Sequence, residues 1–412
     1  MPNQLKELLR HPLIFPLYLP SLIFAFSQGL IVPTLPLYML DFGVSYGLIG
    51  LVLAGEGLGM LFGNVPAGMM LRRFGEKQAM VLGVGLAAFS TAALFWLDFI
   101  PLVVGCRLLA GFGIAMFNLS RHAYLAEEVI LTNRGRAIAL YGGVNRIGKF
   151  MGPAAGGVIA AGFGLRMPFL VYSAISFMVM LLIIFTVSSS QPGHIKGSIK
   201  SRDRHLWSTL KTHYQILLSA GMGQLFAQLI RAGRPVIIPL YGAAIGLDVQ
   251  AIGLIISITS AIDMTLFYPA GWAMDRWGRK FAIVPCFLIQ AIGMTLIPFA
   301  NGFAGLLFAS SLIGFGNGLG SGTMMTLGAD LAPKDSRGEF LGVWRLVGDA
   351  GASGAPLIVG WVAALLVLQT AVWVVAGAGL ASVAIFVLFV PETLKKHPAV
   401  SDVVSVPVES KT

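Results

Sequence analysis

Charge is scarce in this chain. Only 11% of its 412 residues are Asp, Glu, Lys or Arg, against about a quarter in an average soluble domain. A surface so poor in charge does not keep a 412-residue globule in water, which excludes a soluble protein. Cysteine is nearly absent as well. Cys106 and Cys286 fall in different halves of the chain, each inside an apolar run, so there is no disulfide framework and no metal-binding spacing. The six histidines sit between apolar runs or at their ends, which leaves no imidazole relay in mid-run. A nucleotide loop is missing too. Gly143 to Phe150 imitates a phosphate-binding loop, but Phe150 stands where Ser or Thr must hold the metal, and no strand precedes it.

What is abundant is apolar sequence. The hydrophobic share is 56% and the mean hydropathy +0.82. Runs of about 20 residues, the length that crosses about 30 Å of hydrocarbon as a helix, recur at 13–37, 47–70, 78–98, 100–123, 137–160, 168–188, 214–241, 250–272, 281–299, 303–326, 340–362 and 371–391. The sequence thus predicts an all-α polytopic membrane protein with twelve transmembrane helices. The first run is too long for the apolar core of a cleaved signal and stays as the first helix.

The formal net charge of +10 reflects placement, not a nucleic-acid partner. Lys6, Arg10, Arg72, Arg73, Lys77, Arg134, Arg136, Arg276, Arg279, Lys280, Lys334 and Arg337 all fall at one set of alternate loops, while the opposite loops carry Asp41, Asp98, Arg166 and Asp248. The positive-inside rule then puts both termini in the cytoplasm of a bacterial-type inner membrane.

The chain also repeats itself. Pro66 to Gly75 reads PAGMMLRRFG and Pro269 to Gly278 reads PAGWAMDRWG, 203 positions later. The same offset maps Pro36-Leu37-Tyr38 onto Pro239-Leu240-Tyr241, Gly111 and Gly113 onto Gly314 and Gly316, and Pro153 onto Pro356. Two pseudo-symmetric six-helix bundles follow, parallel because each half has an even number of spans. The expected division is 1–188 and 214–391 for the bundles, 189–213 for a basic cytoplasmic linker, and 392–412 for a disordered cytoplasmic tail.

Gly271, Asp275, Arg276, Gly278, Arg279 and Lys280 form the pattern G-x-x-x-D-R-x-G-R-K, which resembles the loop signature of the major facilitator superfamily. The first-half copy keeps Gly68, Arg73, Gly75 and Lys77 but has Arg72 in place of the aspartate. The resemblance implies a cytoplasmic gate in which loop charges pair across the two halves, with Arg72 here expected to meet Asp335 or Glu339. Gly148, Gly152, Pro153, Gly156 and Gly157 in the fifth run, with Pro33, Pro36, Arg107, Gly111 and Gly113, are similar to the drug/proton antiporter group of that superfamily. Small residues around a proline there permit close packing and a hinge. The resemblance implies a monomeric transporter of small molecules, not an enzyme, with the proton as coupling ion and no other cofactor.

Nine ionisable residues lie well inside the runs: Glu56, Arg107, Arg146, Lys149, Arg231, Arg234, Asp263, Arg345 and Asp349. Each is costly in a bilayer unless paired or wetted, so each is a functional candidate. Their repeat equivalents do not carry the same charge: Glu56 matches Thr259, Arg231 matches Gln28, and Asp263 matches Met60. Glu56 lies roughly 15 Å into its helix, where a low dielectric penalises the carboxylate. It is the first candidate for the proton site, with Asp263 second and Arg107 a coupling partner. The excess of cations over anions points to an amphiphilic or anionic substrate held by Arg107, Lys149, Arg231, Arg234 and Arg146. Arg231 with Asp263, and Arg345 with Asp349, are alternatively plain ion pairs. Proton-coupled efflux is the function expected. The alternatives are proton-linked uptake of an organic anion and, from another class, a membrane sensor or embedded enzyme.

Overall fold

A computed structural model describes residues 13–128, 134–188, 214–333 and 336–394. Most of the linker and tail, together with Lys6, Arg10, Lys334 and Asp335, lies outside the described residues. Every described element is helical, as a bilayer requires of a chain whose backbone polar groups must be satisfied within each span. Eight helices, or nine with the bent pair Val249–Thr265 and Phe267–Trp277, are long and apolar enough to cross a membrane.

The spans, in chain order, begin with α1 (Ile14–Asp41). The long helix Tyr46–Ala93 then turns at Gly75, whose φ of 81° suits glycine, and so provides both α2 and α3. Next come α4 (Ile100–Glu128), α5 (Arg134–Phe163) and α6 (Met167–Thr186). The second half comprises α7 (Tyr214–Ala244), α8 (Val249–Thr265 and Phe267–Trp277), α9 (Arg279–Phe299), α10 (Gly302–Leu331), α11 (Arg337–Leu365) and α12 (Leu368–Leu388). The twelve-helix expectation holds. Embedded cations lower the apolarity of α5 and α7, and the break at Gly75 separates two spans that otherwise read as one helix.

The repeat is visible in three dimensions at the same offset. Gly278 breaks the chain with φ 111° where Gly75 does, and Gly246 takes a left-handed turn as Gly43 does. Ser45 caps α2 by accepting from the Leu48 N–H, and Asp248 caps α8 by accepting from the Ala251 N–H at 2.7 Å. Tyr38 donates to the carbonyl of Leu97 at 2.7 Å, and its equivalent Tyr241 donates to that of Pro298 at 2.9 Å. In each half a glycine lets two helices touch backbone to backbone. Gly111 of α4 lies against the Glu56 carbonyl of α2, and Gly314 of α10 against the Thr259 carbonyl of α8.

The two halves meet chiefly along α2 with α11 and along α5 with α8. Both seams are made at the ends that carry the α1–α2 and α7–α8 loops. A side chain added at Gly360 would meet the Tyr46 carbonyl at 2.5 Å and the Gly50 Cα at 2.8 Å; one added at Gly157 would meet the Val249 carbonyl at 2.7 Å. The Ala154 N–H donates to Ser257 Oγ at 2.9 Å across the second seam. Toward the loops at Gly75 and Gly278, residues of α5, α8 and α11 stand exposed, among them Lys149, Tyr268, Gly342 and Arg345. The molecule is closed at one end and open, through a cleft between the halves, at the end bearing the loop signature.

Candidate functional site

Close approach of α2 and α4 through Gly55, Gly59 and Gly111 sets the first feature of the site. Arg107 Nη2 donates to Glu56 Oε2 in an ion pair within the first half. Arg107 is buried, whereas Glu56 keeps about a third of its side chain exposed. Both line a cavity of about 260 Å³ between the halves. Its walls are otherwise apolar, with Ile31, Val32, Leu35, Leu53 and Val236, and carry Gln28, Tyr172 and Ser353 as polar points. Glu56 Oε2 takes the arginine; Oε1 has no hydrogen-bond partner among the described residues.

The second feature is centred on Asp263, which is buried. Arg146 of α5 donates to Oδ1 at 3.1 Å, Asn317 of α10 donates to Oδ2 at 2.7 Å, and Arg234 of α7 stands 3.9 Å from Oδ2. Arg146 also bonds Ser321 and lies over the Phe267 ring at 4.7 Å. Its bridge to Asp263 is the ion pair that crosses between halves among the described residues. The expected pairing of Arg231 with Asp263 is not what forms. Arg231 lies three positions before Arg234 on α7 but turns to a different partner. It donates to the Gly320 carbonyl at 2.8 Å, with its guanidinium 4.9 Å from the Phe287 ring centroid.

Other candidates stand apart. Arg345 and Asp349 pair at 3.7 Å but are 62% and 40% exposed, a geometry that contributes little to stability. Lys149 has neither ion pair nor hydrogen bond among the described residues, yet lies within electrostatic reach of Glu56, Arg121, Arg146 and Arg234. The fifth-helix glycines serve packing. Gly148, Gly152 and Gly156 lie against α1, and Gly157 with Pro153 forms the seam with α8. At the signature loops, Arg279 bonds Asp275 at 2.9 Å and Asp330 at 2.9 Å, all within the second half. Arg72 forms no ion pair among the described residues, and Arg73 lies over Phe74. The expected meeting of Arg72 with Glu339 is not formed in this open-ended state. Gly68 and Gly271 stay in loosely packed surroundings, and Lys77 makes no described ion pair, while Lys280 Nζ donates to the Val387 carbonyl at 3.1 Å. Arg276 stacks on Trp272.

Sequence reading missed several groups. Arg121 lies inside the fourth apolar run, so its position alone could have flagged it. It is buried between the Phe117 and Tyr141 rings, at 4.7 and 4.3 Å, and donates to Asn118 Oδ1 at 2.8 Å. Asn317, Ser321, Tyr172 and Ser353 are neutral, and nothing in their spacing distinguishes them from ordinary helix residues.

Comparison with known proteins agrees with this architecture. The model of the Major Facilitator Superfamily matches residues 17–230 and 220–410. "Multidrug resistance protein 2" of Bacillus subtilis is 26% identical over 322 residues, 75% of this chain and 78% of that protein. The "Multi-drug resistance efflux pump PmrA homolog" of Lactococcus lactis is 24% identical over 350 residues, 81% of this chain and 83% of its own. Among solved structures, a D-xylose-proton symporter superposes with a TM-score of 0.73 at 19% identity, covering 91% of this chain and 97% of its own. Two bundles of six helices, a repeat at one offset, a cavity between the halves and a family match over nearly the whole length lead to one assignment: this multi-pass membrane protein belongs to the Major Facilitator Superfamily of transporters.

Proposed function

We propose that the protein is a proton-coupled exporter of small amphiphilic compounds, acting as a monomer by alternating access in a bacterial-type inner membrane with both termini in the cytoplasm. The observation that carries this reading is Glu56. It is a carboxylate on the wall of the cavity between the halves, held by one buried arginine and with one oxygen still free. Protonation of Glu56 removes its charge and the ion pair with Arg107, and a substrate donor group reaching the same carboxylate competes with that proton. Mutually exclusive binding at one site exposed alternately to two sides is the logic of exchange. Apolar cavity walls suit amphiphiles, and the names of two relatives point the same way. With the positive loops inside, the open end faces the cytoplasm, as loading of an exporter requires. No bound cofactor and no nucleic-acid partner enters this scheme.

Proteoliposomes with an imposed proton gradient test the proposal. Expected are substrate-driven proton movement opposite to the substrate, and its loss in Glu56→Gln. A second reading, co-transport of an organic anion with a proton, draws support from the surplus of embedded cations. Movement of substrate and proton in the same direction would establish it and exclude exchange.

A further inference from the structure

The embedded cations are not equivalent once their partners are known. Arg107 is held by Glu56, Arg146 and Arg234 by Asp263, Arg231 by the Gly320 carbonyl, Arg345 by Asp349, and Arg121 by Asn118 and two aromatic faces. Lys149 is left with no hydrogen bond or ion pair among the described residues. It is exposed, yet the charges within its electrostatic reach come from α2, α4 and α5 of its own half and from α7 of the other. Lys149 is one turn on from Arg146, whose side chain reaches Asp263 and Ser321 of the other half, and one turn before Pro153 at the seam with α8, so it faces the cleft between the halves, not lipid. Its backbone position is fixed, because Gly148 and Gly152 press α5 against α1 on either side of it. An ammonium in such a place, with three cations and the already paired Glu56 within reach, makes no ion pair of its own among the described residues.

Within reach of Lys149 lies Glu56, whose free Oε1 needs a donor. Beside Glu56, in the cavity it lines, stand the apolar walls Ile31, Val32, Leu35, Leu53 and Val236. We infer that Lys149 and Glu56 form a two-point site for an amphipathic zwitterion: its carboxylate on Lys149 Nζ, its protonated amine on Glu56, and its apolar body against these walls. The inference rests on the exchange reading only in that a proton on Glu56 excludes the amine. Lys149 then selects substrate without taking part in the exchange.

The test uses the full chain in lipid nanodiscs and three probes with one apolar body: the amino acid 4-phenylphenylalanine, its methyl ester, which lacks the anion, and its N-acetyl derivative, which lacks the cation. Calorimetric titration is expected to show the amino acid binding about ten-fold more tightly than either derivative, the worth of one charge-assisted hydrogen bond. Lys149→Gln should lower amino-acid affinity to that of the ester and leave the ester unchanged, and Glu56→Gln should lower it to that of the N-acetyl form. Lys149→Arg should keep the preference, which separates lost charge from lost fold if Lys149→Gln binds nothing. The site is overturned if none of the probes binds wild type, if either derivative binds as tightly as the amino acid, or if the preference survives Lys149→Gln. Because binding is read without a gradient, the preference can hold while proton exchange fails, and then only the export reading falls.

Discussion

The seam between α2 and α11 makes the closed end of the molecule sensitive to a single methyl-sized addition. Gly360 lies so near its partner helix that a Cβ there would sit 2.5 Å from the Tyr46 carbonyl and 2.8 Å from the Gly50 Cα, where ordinary contact needs 3.4 Å or more. In Gly360→Val the helices must part by about 1 Å at that point, and over-packing of this kind costs about 1–3 kcal/mol. Under the proposed alternating access, the penalty falls only on the conformation in which the seam is closed, since the alternate state requires α2 and α11 to separate there. It therefore converts into a population shift of roughly five- to 150-fold toward the state open at the opposite end. Paired spin labels read this directly in a background without Cys106 and Cys286. Phe163 and Leu366 are exposed at the closed end, in opposite halves, and Met69 and Tyr268 are exposed toward the open end. The first distance should lengthen and the second shorten in Gly360→Val. Gly354→Val is the control, since Gly354 is on the same helix with nothing within 4 Å of the added atom. If Gly360→Val leaves both distance distributions at their wild-type positions, or if Gly354→Val moves them equally, the seam does not govern the equilibrium.

Three further outcomes follow from named contacts. Asp263→Asn strands Arg146 and Arg234 near an uncharged amide and should lower stability by about 3–5 kcal/mol, with Arg146→Gln in the same chain recovering part of it; thermal unfolding in detergent checks both. Glu392, beyond the last span, is partly desolvated, which raises the affinity of its carboxyl for a proton. The backbone N–H groups of Leu394, Arg279 and Lys280 outweigh this and hold it below the usual carboxylate range. Its contribution as a cap on the start of α9, about 1 kcal/mol, is thus present above the unfolded carboxylate range and lost as pH falls through the folded value. The stability gap between wild type and Glu392→Gln should be open at neutral pH and close in acid. At the signature loops, Arg72→Asp should impair transport and Glu339→Arg should restore it, because the pair forms only when the cleft end closes; proteoliposome flux of the single and double variants decides this.

Much of this protein is legible in one dimension because the bilayer is such a demanding solvent. A span must be about 20 residues of apolar helix, so twelve runs read as twelve helices. The 203-residue offset, carried by glycines and prolines that shape the backbone, reappears as matching turns at Gly75 and Gly278 and matching contacts at Gly111 and Gly314. The depth of Glu56 and of Asp263 also follows from sequence, since depth is a count along a helix. Rotation about the helix axis and the choice of partner are not. Arg231 and Arg234 are three residues apart, yet one turns to the Gly320 carbonyl and the other toward Asp263; Arg146 finds Asp263 from 117 positions away. Those choices depend on how closely glycine seams bring specific helices together, a property of the folded pair and of neither helix alone. Only the tertiary structure could decide that the cleft opens at the signature loops, that Arg107 is already held by Glu56, and that Lys149 makes no ion pair among the described residues.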